Sequence, residues 1–131
     1  EMLERIKRHQ ASRNQEWTTI EEPYHIDEQM KKLKSQSVLL IDCLTVWSSN
    51  VLFSENKTCD TMLDRIEKAV QIAKDKKMTV ILVSNDLNED LPIQDNDVQN
   101  YVYSLEAVHK CTVSHCDKAI QVVAGVPIQW K

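Results

Sequence analysis

The 131-residue sequence predicts an α/β sheet covered by helices on both faces, and three observations carry that prediction. Two short apolar runs, residues 37–42 and 78–83, show the unbroken hydrophobicity of buried parallel strands. Between them, residues 58–77 form an amphipathic stretch at helical period, with Met62, Ile66, Ala69, Val70 and Ala73 on one stripe. The chain order, strand and helix in alternation, is that of a parallel sheet with crossover helices.

Each further segment extends this reading. Met2, Leu3 and Ile6 recur at helical spacing among charges, so residues 1–13 read as an amphipathic helix. Residues 17–21 alternate weakly and suit a short strand ending at Pro23. Asp27 suits the N-cap of a helix carrying Met30 and Leu33. After the first apolar run, Leu44, Trp47 and Val51 predict a helix over 43–53, broken by the polar residues 54–57. Lysines close the 58–77 helix, where they complement its dipole. Residues 84–97 are polar, and Val98, Val102, Leu105 and Val108 predict a helix from 98 to about 115. The last residues read as two short strands, 119–124 and 126–130, split by Gly125, as in a terminal hairpin or a bent edge strand. Residues 1–131 are therefore read as one α/β domain.

Composition narrows the function classes. A net charge of −4 argues against a nucleic-acid partner, which requires clustered cations to displace phosphate counterions. No apolar run approaches the ~20 residues of a membrane span, and the charged start lacks the pattern of a signal peptide. A cytoplasmic protein is expected. Cys43, Cys59, Cys111 and Cys116 form no CxxC pair and are expected to be reduced thiols. Gly125 is the single glycine, so these residues hold no backbone phosphate cradle of the usual glycine-rich kind.

Chemistry is expected beyond the carboxyl ends of the strands, where open parallel sheets bind ligands. Asp42 closes the first run, and four apolar residues followed by a carboxylate suit magnesium held directly or through water. The alternative is a plain loop starter or helix cap. Ser84, Asn85 and Asp86 close the second run and suit either nucleotide contact or capping of the next segment. His9, with Arg13 one helical turn on, suits nucleotidyl transfer: imidazole attacks a phosphorus and the guanidinium offsets the developing charge. A solvated surface histidine among Lys7, Arg8 and Gln10 is the plainer reading of that local sequence. His109, Cys111, His115 and Cys116 crowd one predicted helix, and Cys111 and His115 at i, i+4 could share a metal. Four ligands over eight helical residues point in several directions, which favours a partly buried face with thiols in the core. Trp47 is read as core, and the acidic run 85–97 lacks the ligand spacing of a calcium loop.

These signals stand in a familiar order. The stretch Arg5-Ile6-x-x-His9-x-x-x-Arg13-x-x-x-Trp17-x-Thr19-x-Glu21-x-Pro23 resembles the nucleotidylated-histidine segment of the bifunctional adenosylcobinamide kinase/adenosylcobinamide-phosphate guanylyltransferase family of cobalamin biosynthesis. Leu39-Leu-Ile-Asp42-Cys-Leu-Thr45-x-Trp47-x-x-Asn50-x-Leu52 resembles its LxDCLTxWxxNLL motif, the most specific of the set. Val80-Ile-Leu-Val-Ser84-Asn85-Asp86 and the closing Val122-Val-Ala-Gly125-Val-Pro127 are similar to two further family stretches.

The resemblance implies a three-layer, RecA-like P-loop NTPase sheet, with the family's first strand and phosphate loop expected before residue 1. It implies phosphorylation of adenosylcobinamide and then GMP transfer from GTP, with His9 carrying GMP. Arg13, Asp42, Thr45, Asn85 and Asp86 would contact nucleotide, and Asp42 would hold Mg2+. GTP and ATP would be substrates, and self-association as a trimer is implied. Two stretches depart from the pattern. The glycine-rich turn after Asp86 reads Leu87-Asn-Glu-Asp-Leu-Pro-Ile, and the arginine-bearing helix is replaced by residues 98–110. Those losses leave an alternative: a degenerate relative that keeps the fold as a binding or oligomerisation module.

Overall fold

The computed structural model describes residues 17–85 and 96–131. Their elements run α1 (Ile26–Lys32), β1 (Val38–Asp42), α2 (Leu44–Ser49), a π-helical turn (Asn50–Ser54), α3 (Cys59–Asp75), β2 (Thr79–Val83), α4 (Asn96–His115), β3 (Ile120–Val123) and β4 (Val126–Gln129). The expected helix over 1–13 lies outside the described residues.

β1 and β2 pair in parallel with no offset, from Val38 opposite Thr79 to Asp42 opposite Val83. Their carboxyl ends therefore finish side by side, and α2, the π-helical turn and α3 make the crossover between them. Among the described residues, the expected burial of the strands is met on one face only. Both strands alternate in burial, and the in-register residues Val38, Leu40, Ile81 and Val83 are exposed together. Among the described residues the helices cover only the face carrying Leu39, Ile41, Val80 and Leu82, because pleating sends successive side chains to opposite faces.

The core sits between that face and the helices. Ile26, Leu44, Trp47, Val51, Leu52, Met62, Ile66 and Val108 form one cluster, with Leu82 and Tyr101 packed against it. Met62, Ile66 and Ala69 deliver the buried stripe of α3 that their spacing predicts. The helix expected over 43–53 is instead an α-helix that widens after Ser49, where the Glu55 amide donates to the Asn50 carbonyl. The wider turn lets two consecutive residues, Val51 and Leu52, both reach the core.

Helix ends explain the boundaries. Thr58 caps α3 by accepting the Thr61 amide. At the other end the Met78 amide reaches the Ala73 carbonyl (2.8 Å) and the Lys77 amide that of Lys74 (3.2 Å). That is a Schellman stop with Lys77, at φ 52°, in the left-handed position usually given to glycine. Lys76 Nζ then donates to the carbonyls of Met30 (3.2 Å), Leu33 (2.7 Å) and Lys31, satisfying the C-terminal end of α1.

Two local expectations fail here. Residues 17–21 form no strand, and Asp27 is not a cap. The cap position is His25, and Asp27 stands in the first turn of α1, where a carboxylate favours the dipole. The Glu22 carboxylate instead accepts the amides of Tyr24 and His25, both at 3.1 Å. Those hydrogen bonds hold its pKa below the usual carboxylate value. β3 and β4 form the expected antiparallel hairpin. Its two-residue turn, Ala124 and Gly125, has positive φ at both positions, matching the twist of the strands it joins.

Candidate functional site

Asp42, Ser84 and Asn85 meet at the shared carboxyl edge of β1 and β2, because register places Asp42 beside Val83 and the chain continues directly into Ser84. Thr45 joins them from the first turn of α2, and it is buried at 8% exposure. Its Oγ1 accepts the Asn85 amide at 2.9 Å and lies 3.3 Å from Ser84 Oγ. Ser84 Oγ in turn stands 2.5 Å from His109 Nε2. Tyr101 donates its hydroxyl to the Thr45 carbonyl at 2.8 Å. Burial pushes the Tyr101 phenol pKa up, so it stays a donor throughout the neutral range. Thr45 is thus the knot that ties the start of α2 to the end of β2, with α4 holding both.

The predicted residues divide at this point. Thr45, Ser84 and Asn85 come together. Asp42 is adjacent but stands on the open face with Val38 and Leu40, and its exposed carboxylate takes no hydrogen bond among the described residues. A carboxylate offers the hard oxygen ligands that magnesium takes, binding through one or two of them while keeping several waters. His9, Arg13 and Asp86 lie outside the described residues.

Two residues of this edge escaped the reading from sequence. Tyr101 carries no signal beyond its place in a helix, and the sequence around His109 suggests a crowded thiol–imidazole face. The i, i+4, i+8 spacing of Tyr101, Leu105 and His109 is the sign that could have grouped them, since Leu105 is core. The expected partly buried thiol face holds for Cys111, which packs against the core cluster, but not for the whole group. His109 turns to Ser84, and Cys116 Sγ donates to the Val113 carbonyl at 3.3 Å. All four cysteines are free thiols.

A second constellation anchors the segment entering α1. Trp47 Nε1 donates to the Tyr24 carbonyl at 2.8 Å, and Asn50 Nδ2 reaches the Pro23 carbonyl at 3.5 Å. Arg65 Nη1 also reaches the Tyr24 carbonyl, at 3.3 Å. The Arg65 fork grips Glu55 through both nitrogens, at 2.7 and 2.9 Å. Arg65 holds the Glu55 carboxyl below its ordinary range, chiefly by that hydrogen-bonded pairing. Trp47 is core, as expected, with its indole N–H spent on the backbone. The spacing of Trp47 and Asn50 therefore has a local purpose: both point their donors at the chain around Pro23.

Among the described residues no helix is long and apolar enough to cross a membrane. A family model described as CobU, cobinamide kinase / cobinamide phosphate guanyltransferase, matches residues 1–130. The chain is also similar to the bifunctional adenosylcobalamin biosynthesis protein CobP of Pseudomonas aeruginosa. The two are 27% identical over 132 aligned positions, covering 100% of this chain and 75% of that protein.

Proposed function

The chain belongs to the cobinamide kinase / cobinamide phosphate guanyltransferase family, and from that premise we propose that it serves cobalamin biosynthesis by phosphorylating a cobinamide and then transferring GMP to it. The observation that carries the proposal is the match over residues 1–130, which includes the segment with His9 and the edge built by Asp42, Thr45, Ser84 and Asn85. GTP and ATP are the nucleotide substrates in this reading, and the corrinoid is the acceptor. The domain is a single RecA-like P-loop unit, cytosolic, and it self-associates.

In the transfer half-reaction the imidazole of His9 attacks the α-phosphorus of GTP. A nitrogen–phosphorus bond forms as the bond to the β-phosphate oxygen breaks, and pyrophosphate leaves. An oxygen of cobinamide phosphate then attacks the same phosphorus, the nitrogen–phosphorus bond breaks, and neutral imidazole is restored. Dividing the transfer in this way replaces one difficult displacement with two easier ones. Arg13 offsets negative charge on the phosphates. Asp42 would hold Mg2+ at the strand edge, where a bound ion would offset the charge of the phosphates. Thr45 positions the Ser84–Asn85 turn through the Asn85 amide, and Asn85 and Asp86 serve as nucleotide contacts in this reading.

The degenerate reading is favoured by one specific observation, the replacement of the glycine-rich turn by residues 87–93. Intact mass after incubation with GTP and Mg2+ separates the two. Transfer predicts an acid-labile GMP adduct on the wild-type chain that is missing from His9→Ala. An adduct retained in that variant removes His9 from the role, and no adduct on the full-length natural protein supports the binding-module reading.

A further inference from the structure

We propose that Glu67, Cys111 and His115 form a binding site for a borderline divalent transition-metal ion, Zn2+ or Co2+, that clamps α3 to α4. The three residues converge from two packed helices. Cys111 and His115 stand one turn apart on α4, and Glu67 comes from α3. One ligand atom from each lies within 4.8 Å of the other two. Zinc bonds of ~2.0–2.3 Å place tetrahedral ligands roughly 3.3–3.8 Å apart, so modest side-chain rotation closes the set. Glu67 and His115 are exposed and free to make that rotation, whereas Cys111 is rooted against the core cluster.

The donor set decides the class of ion. One sulfur, one imidazole nitrogen and one carboxylate oxygen suit borderline cations, while magnesium and calcium favour oxygen alone. Three protein ligands at the protein surface leave the fourth tetrahedral position to water. On binding, the Cys111 thiol releases its proton to solvent as the sulfur–metal bond forms. Burial, with Glu67 nearby, raises the Cys111 pKa in the metal-free chain, and a bound dication offsets both effects. His109 and Cys116 take no part, since each is engaged elsewhere. The consequence reaches the strand edge. α4 carries Tyr101 and His109, so a clamp on its last turns steadies the helix that holds Thr45 and Ser84.

The test is a Co2+ titration of the 131-residue chain under thiol-free reductant, followed by absorbance. Expected are the intense visible bands of tetrahedral Co2+ with a near-ultraviolet thiolate charge-transfer band, saturating at one ion per chain and bleached by Zn2+. Cys111→Ser should abolish the charge-transfer band. Glu67→Gln, an exposed change that spares the fold, should weaken binding at least about tenfold, the lower end of what loss of a supporting group costs. The proposal is overturned by a weak octahedral spectrum, or by a thiolate band that survives Cys111→Ser in a chain of unchanged circular dichroism. Equal affinity in wild type and Glu67→Gln overturns it as well.

Discussion

Replacing Arg65 with methionine removes the fork that joins α3, the π-helical turn and the Tyr24 backbone, while keeping most of the aliphatic volume. Loss of one partner from a buried ion pair costs about 3–5 kcal/mol, because the other charge is left uncompensated. Here the Glu55 side chain retains 17% exposure and His25 Nε2 lies 3.6 Å away, so water and imidazole recover part of that cost. The Tyr24 carbonyl also keeps the Trp47 indole donor. The expected loss is therefore about 2–3 kcal/mol, below the range for full burial. Urea denaturation at pH 7 should show it as a lower midpoint with unchanged slope. A cycle with Glu55→Gln isolates the coupling between the two side chains. Its pH dependence has a definite sign. The pairing depresses the folded pKa of Glu55 below the ordinary 4.5. Its stabilisation is thus complete above that value and is lost as pH falls through the depressed one. The gap between wild type and Glu55→Gln should hold steady down to about pH 5 and close in more acidic buffer. A change under ~0.5 kcal/mol for Arg65→Met, the size of an ordinary surface substitution, would refute the reasoning. So would a gap that ignores acid.

Two further predictions follow from single hydrogen bonds and single dihedral angles. Tyr101→Phe removes the donor to the Thr45 carbonyl and should cost about 1 kcal/mol, with faster hydrogen exchange at the Asn85 amide that Thr45 holds. Unchanged exchange at Asn85 would show that α4 does not steady the strand edge. Lys77→Gly should stabilise the chain by roughly 0.5–1 kcal/mol in thermal unfolding. The left-handed position closing α3 strains a side chain more than glycine's extra unfolded-state entropy costs. A destabilised variant would mean that Lys77 contributes contacts beyond its backbone.

Much of the fold is legible along the chain because its signals are local. The β1 and β2 runs, the α3 stripe and the Ala124–Gly125 turn each depend on residues a few positions apart. Failures arise where a side chain answers to a partner outside its own helix or strand. Asp27 has the chemistry of a cap, yet Glu22 accepts the amides entering α1. His109 shares a helix with Cys111 and His115, yet it faces Ser84, 25 residues away in sequence. The widening after Ser49 has no sequence marker, because it serves to seat both Val51 and Leu52 in a core assembled by other helices.

The candidate site divides along the same line. Sequence alone placed Asp42 and Ser84–Asn85 at the ends of two apolar strands, and the order of motifs pointed to the family, because both depend on residue type and spacing. Only the tertiary structure could set the zero-offset register that brings those ends together, since pairing joins residues some 40 positions apart. It alone drew Glu67 beside Cys111 and His115, and it turned Thr45 inward as a tie while leaving Asp42 on the open face. Hydrogen bonds and metal ligation act over a few ångströms. They are decided by which faces the packed helices present to one another, and no local pattern carries that information.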